Sequence, residues 1–197
     1  MSPTPKGAAD DLPVMEFENS AAFERWLQAN PRAEGVWLKI AKKGQTPVTL
    51  SVGEALDVCL CHGWIDGLKR GLDEVYFLQR YTPRRPKGLW SKINVGKVER
   101  LIADGRMREG GQREIDAAKA DGRWDAAYAP PSTMPVPDDL ARALDAQPKA
   151  RAFFEGLDKT NRYAVLWRVE TAKKAETRAS RIEKFVAMLA RGEKIHG

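Results

Sequence analysis

Cysteine and histidine are scarce in this sequence, two of each in 197 residues. Cys59 and Cys61 stand one residue apart, too close for an ordinary disulfide framework. On a helix that spacing turns the two thiols to opposite sides. A protein metal site needs three or four ligands, and beyond Cys59-Leu-Cys61-His62 there is only His196 near the C-terminus. The reading is therefore two core cysteines beside a helix-end histidine, with no metal and no cofactor. No apolar run approaches the ~18 residues of a membrane span. The N-terminal stretch, residues 1–12, carries Asp10 and Asp11 early and lacks a hydrophobic segment, so it does not read as a signal peptide. It is expected to be a disordered leader, and a cytoplasmic location follows. Nucleophile elbows, Gly-rich phosphate loops and internal repeats are missing too.

What is present is a moderately charged chain, 30% charged and 43% hydrophobic with six Trp. That suffices for a real core. The net charge of +6 is unevenly spread: residues 80–108 hold nine Lys/Arg against Glu99 and Asp104, a local +7. A local excess is what an anion-binding surface needs. Its centre is Arg80-Tyr81-Thr82-Pro83-Arg84-Arg85-Pro86-Lys87, followed by Trp90-Ser91-Lys92-Ile93-Asn94. Two prolines forbid helix across the charges and stiffen the loop that presents them. Asn94 reads as the N-cap of a helix over 95–104, whose positive end would add donors to the same site. The candidate ligand-binding residues are Arg80, Tyr81, Arg84, Arg85, Lys87, Trp90, Ser91, Lys92 and Asn94. The ligand would be a small or polymeric anion. The competing reading pairs the arginines with structural carboxylates such as Asp66, Asp73 or Glu74.

Two further functions deserve weighing. An enzyme could use the same pocket, with Asp66 or His62 as acid/base and Arg84, Arg85 and Lys92 as electrostatic stabilisers. The plainer account of that pair is a helix-end His and a turn Asp before Gly67, and no residue is assigned a catalytic role. Nucleic acid would suit interleaved Arg and aromatics. The patch is one loop and one helix, however, and no DNA- or RNA-binding signature accompanies it; this argues against nucleic acid.

The pattern of elements predicts an α+β fold: a small antiparallel sheet with helices in the N-terminal part, then an all-helical C-terminal part. A helix capped by Asn19 or Ser20 ends at Asn30-Pro31, and residues 36–42 read as a strand. Ser51 and Glu54 have capping-box spacing for a helix ended by Gly63. Strands over 64–70 and 74–81 form a hairpin around Gly71-Leu72-Asp73. Further helices are expected over 109–121, 138–145, 148–157, 159–170 and 175–191. Ala129–Pro137, with four prolines, is the linker. The organisation is thus leader 1–12, α+β domain 13–128 carrying the basic loop, linker 129–137, and a helical segment 138–197 on or beside the domain.

Gly63-Trp-Ile-Asp-Gly67, Thr82-Pro-Arg-Arg-Pro-Lys87, Trp90-Ser-Lys-Ile-Asn94, Ala118-Lys-Ala-Asp-Gly-Arg-Trp124 and Thr171-Ala-Lys-Lys174, with Thr177-Arg178, Arg181-Ile-Glu183 and Gly192, resemble the bacterial YdeI/OmpD-associated, bacteriocin-protection family. The resemblance spans about Phe17 to Ile195. It implies a role in tolerance of cationic antimicrobial peptides or envelope stress, an outer-membrane porin as associate, and a periplasmic location. The absence of an export signal departs from the last point. A basic chain also repels cationic peptides, so protection would be indirect.

Overall fold

The computed structural model describes residues 11–46 and 48–197. The expected leader falls almost wholly on residues 1–10, outside the described residues. The chain divides into two units, one comprising the chain to Trp90 with Asn94–Ala126, the other Ser91–Ile93 with Ala127–Gly197.

The N-terminal unit is α+β. It holds strands β1 (Val14–Met15), β2 (Val36–Ala41), β3 (Trp64–Gly71) and β4 (Tyr76–Pro83), in the spatial order β1-β2-β4-β3. Two antiparallel pairings match the expected architecture, but β1 runs parallel to β2, so the sheet is mixed. Two residues are too few to show alternation, which is why β1 left no mark in the sequence pattern. The β3–β4 turn is stapled by Asp73, whose Oδ1 accepts from the amides of Val75 and Tyr76 at 2.8 and 2.7 Å. Helices α1 (Ser20–Ala29) and α2 (Val52–Cys61) are locally encoded. Asn19 accepts from Ala22 N, and Ser51 and Glu54 close the full capping box. Phe23 and Leu27 of α1, Val58 and Cys59 of α2, and Leu38 and Tyr81 of the sheet share one buried cluster. Cys59 and Cys61 are buried and free, and burial pushes both thiols upward. Among the described residues no group of three His, Cys, Asp or Glu could hold a metal ion.

Helix α3 runs Lys92–Ala103, so Asn94 is its third residue, not its N-cap. The helix starts three residues earlier than expected because Ser91, bridged to Tyr128, already ends the extended segment. Val98 and Leu101 are buried, whereas Ile102, expected beside them, is 42% exposed. Helix α4 (Glu109–Ala120) meets the end of α2 at backbone distance. A Cβ on Gly111 would stand 2.5 Å from Leu60 O and closer still to Cys61 O. Only glycine permits that approach.

The C-terminal unit is built from α5 (Asp138–Asp145), α6 (Pro148–Glu155), α7 (Lys159–Glu170) and α8 (Ala175–Ala190). Its core gathers Leu140, Leu144, Phe154, Val165, Leu166 and Leu189. Asp158 caps α7, and Pro148 occupies the first turn of α6, where its missing N–H is harmless. No helix among the described residues is long and apolar enough to cross a membrane.

Candidate functional site

Strand alternation decides which of the basic residues can meet a ligand. Along β4, Tyr81 pairs with Val36 and Arg80 with Trp37, so the two side chains take opposite faces. Tyr81 is fully buried in the core; its hydroxyl lies 3.5 Å from Val52 O, and burial pushes it well above its ordinary pKa. Its expected place in the ligand site is therefore corrected: the strand period sends it inward. Arg80 takes the other face, with its guanidinium carbon 6.0 Å from the Trp37 ring centre. Its Nε is buried without a hydrogen-bond partner. Arg70 covers the same indole at 4.2 Å.

Past β4 the chain turns. Arg84 N donates to Gly63 O at 2.9 Å, and the Arg84 guanidinium stacks on the Trp90 ring at 3.7 Å. Arg84 is only 8% exposed, not partly exposed as a loop arginine would be. A planar guanidinium is weakly hydrated and accepts burial against an indole face. Arg85 and Lys87 remain exposed. Gly88 N bonds back to Arg85 O at 2.9 Å, with Pro86 and Lys87 between them. Lys87 has φ 63°, which makes this a type II-like turn with proline in its favoured position. The loop is held from the turn that follows α4: Arg123, buried, donates to Gly88 O at 2.9 Å and pairs with Asp121 at 2.7 Å. Trp124 packs on Trp90, ring centres 5.0 Å apart.

Arg80, Arg84 and Arg85 line one open cleft of about 420 Å³, together with Thr82, Pro83, Pro86, Leu12 and Glu34. Neither Arg80 nor Arg85 forms an ion pair with a described residue, and Asp73 is occupied by the hairpin turn. Leu12, Glu34 and Thr82 were not singled out from the sequence. Glu34 arrives through the β2–β4 register, a long-range pairing. The one local hint is Gly35, directly after it: a Cβ there would lie 2.8 Å from Leu12 Cδ1 and 2.9 Å from Thr82 Cγ2.

The remaining candidates do not line the cleft. Trp90 is 98% buried and serves as the platform for Arg84. Lys87 points to solvent, and Asn94 lies within α3. Ser91 and Lys92 group with the C-terminal unit, where Lys92 N donates to Tyr128 O at 2.9 Å. The conceivable acid/base residues, His62 and Asp66, are not among the cleft's lining residues. His62 Nε2 donates to Glu24 Oε1 at 3.1 Å, and Arg108 Nε donates to the same oxygen at 2.9 Å. Burial raises the Glu24 carboxyl, but these two bonds outweigh it and leave the group below its ordinary pKa. Asp66 is exposed on β3, opposite Tyr81 in the ladder.

A larger groove, about 690 Å³, lies in the C-terminal unit between α5 and α8. It is lined mainly by alanines with Ile182 and Val186, and its Asp139 and Arg178 are paired at 2.6 Å. Size alone does not make it the functional site, since its wall is mainly apolar and its Asp139 and Arg178 spend their charges on each other.

Residues 133–192 match the family model described as Bacteriocin-protection, YdeI or OmpD-Associated (OmdA). Residues 15–114 match the model described as Domain of unknown function (DUF8412). Neither the curated proteins nor the solved structures give a significant match. Strands β2–β4 and the loop to Trp90 lie within the first match and helices α5–α8 within the second, so the C-terminal segment is similar to the YdeI/OmpD-associated, bacteriocin-protection family, and the chain belongs to the DUF8412 family.

Proposed function

We propose that the N-terminal unit is an anion-binding module, taking a small anion in the Arg80–Thr82–Arg84–Arg85 cleft. The observation that carries this reading is that Arg80 and Arg85 share a cleft and neither is paired with a described carboxylate. Guanidinium forks bind phosphate or carboxylate oxygens two at a time, and Arg84, locked flat against Trp90, is pre-organised for such a bond. The family description attaches bacteriocin protection to the C-terminal segment. The proposed role in tolerance of cationic peptides and envelope stress then acts through the bound anion, since a chain of net charge +6 repels a cationic peptide.

The test is a calorimetric titration of the full chain with inorganic phosphate and pyrophosphate, beside thermal melts. Arg85→Ala is expected to weaken binding at least tenfold while stability changes by less than about 0.5 kcal/mol, because the side chain is exposed. Arg84→Ala is expected to weaken binding and also to cost about 1–2 kcal/mol, through the lost stacking on Trp90. Unchanged anion affinity in Arg85→Ala and Arg80→Ala proteins that melt like wild type would end this reading.

A further inference from the structure

The cleft contains a residue that a site for a plain anion should not have. Glu34 lines it beside three guanidinium groups, is exposed, and forms no ion pair with a described residue. A carboxylate there repels any anion the arginines attract. It would be expected either to pair with an arginine or to point away. Its place is enforced: Gly35 lets the start of β2 press against Thr82, Leu12 and the Tyr81 carbonyl so closely that no Cβ would fit. The cleft thus has a cationic wall of Arg80, Arg84 and Arg85, a lone carboxylate, the Thr82 hydroxyl, and apolar surface from Leu12, Pro83 and Pro86.

Resting on the anion-binding reading above, we infer that the ligand is a zwitterion: a phosphate or carboxylate for the arginines, joined by a short hydrocarbon segment to an ammonium group for Glu34. Each part of the cleft then has a complement. The unpaired carboxylate gains a charge-assisted hydrogen bond from the ammonium, the apolar residues cover the linking methylenes, and the arginines hold the anion. Glu34 is then the specificity residue. Donor-free anions leave it desolvated and unpaired, a penalty of the kind that lets polar sites reject analogues lacking a matching group.

Three probes test this on the full-length chain by calorimetry: inorganic phosphate, 3-aminopropyl phosphate, and butyl phosphate, which replaces the ammonium by a methyl group of similar size. Wild type is expected to bind 3-aminopropyl phosphate at least tenfold more tightly than butyl phosphate. Glu34→Gln, at an exposed position and so expected to fold, should shrink that preference below threefold while binding inorganic phosphate as tightly as wild type or tighter. Equal affinity of wild type for the two alkyl phosphates would overturn the inference and leave the anion site standing. So would a Glu34→Gln protein that binds all three probes more tightly by the same factor, since Glu34 would then only repel. Failure of all three probes to bind wild type would remove the anion site itself, and the inference with it.

Discussion

The cleft arginines of the N-terminal unit are used differently from the paired arginines of the C-terminal unit. In the C-terminal unit Arg151 pairs with Asp145 and Glu155, Arg191 with Glu193, and Arg178 with Asp139. Arg178 also donates to Val169 O at 2.8 Å, so one side chain ties α8 to α5 and to α7. These guanidinium groups spend their hydrogen bonds within the fold. In the N-terminal unit Arg80 and Arg85 face a cleft and form no ion pair with a described residue, and Arg84 stacks on an indole face. A folded chain has little reason to gather like charges unless something outside it completes them. The basic excess of residues 80–108 is only partly a binding surface. Lys97 and Arg100 in that run pair with Asp57, and Arg108 pairs with Glu24.

The sharpest way to separate the units is at a glycine. Gly111→Ala would drive a methyl group into the Leu60 and Cys61 carbonyl oxygens and the Met107 sulfur. Backbone oxygens at a helix end cannot swing away, so α2 and α4 must part. A loss of about 2–4 kcal/mol is expected, seen as a lower melting temperature with loss of anion binding. Gly156 in the C-terminal unit is the control: it has φ −83° and ordinary contacts of 3.7–3.8 Å, so Gly156→Ala should be neutral or raise stability by about 0.5 kcal/mol. Equal destabilisation by both would show that neither position is read correctly.

How much of this could be seen in the sequence follows the range of the interactions. The Ser51–Glu54 capping box spans four residues, and the bounds of α5 and α7 match the expected 138–145 and 159–170. Helix starts and stops are written in neighbouring side chains. The alternation along β4 was also readable, and applied strictly it would have sent Tyr81 inward while leaving Arg80 on the other face. What could not be read is which of two adjacent arginines is buried. Arg84 and Arg85 are alike in local pattern, and only the distance to Trp90, set by the turn at Pro86-Lys87, divides them. Glu34 was invisible for a stronger reason. It reaches the cleft by pairing of strands more than forty residues apart, which no local period encodes.

The ion pairs of the C-terminal unit offer a second, smaller test. Asp139 takes two bonds from Arg178, at 2.6 and 3.0 Å, and they hold its carboxyl below the ordinary range against the opposing effect of burial. Asp139→Asn is expected to cost about 1–2 kcal/mol, because a fork bond to a charged, partly buried partner is lost and Arg178 is left half-satisfied. If thermal melts show less than about 0.3 kcal/mol, the pair is a surface contact of the weak kind and the contrast with the cleft arginines fades.

The smallest expected effect concerns pH in the N-terminal unit, at Glu24. Its carboxylate accepts from His62 and Arg108 through one oxygen and is 27% exposed, so solvent screening limits its contribution to about 0.5–1 kcal/mol. Burial raises its pKa, the two bonds lower it by more, and the folded value falls below the unfolded one. A depressed carboxyl stabilises the fold fully above its unfolded pKa, about 4.3 for a free Glu. That contribution is lost as pH falls through the folded pKa, where the proton displaces the two donors. Stability differences between wild type and Glu24→Gln, from urea melts, should therefore fall away as pH drops from about 5 toward 3. Arg108 stays charged throughout, so it cannot produce this profile by itself. A difference that instead grows between about pH 5 and 3 would mean that Glu24 is more readily protonated in the folded state, and that burial outweighs its two hydrogen bonds.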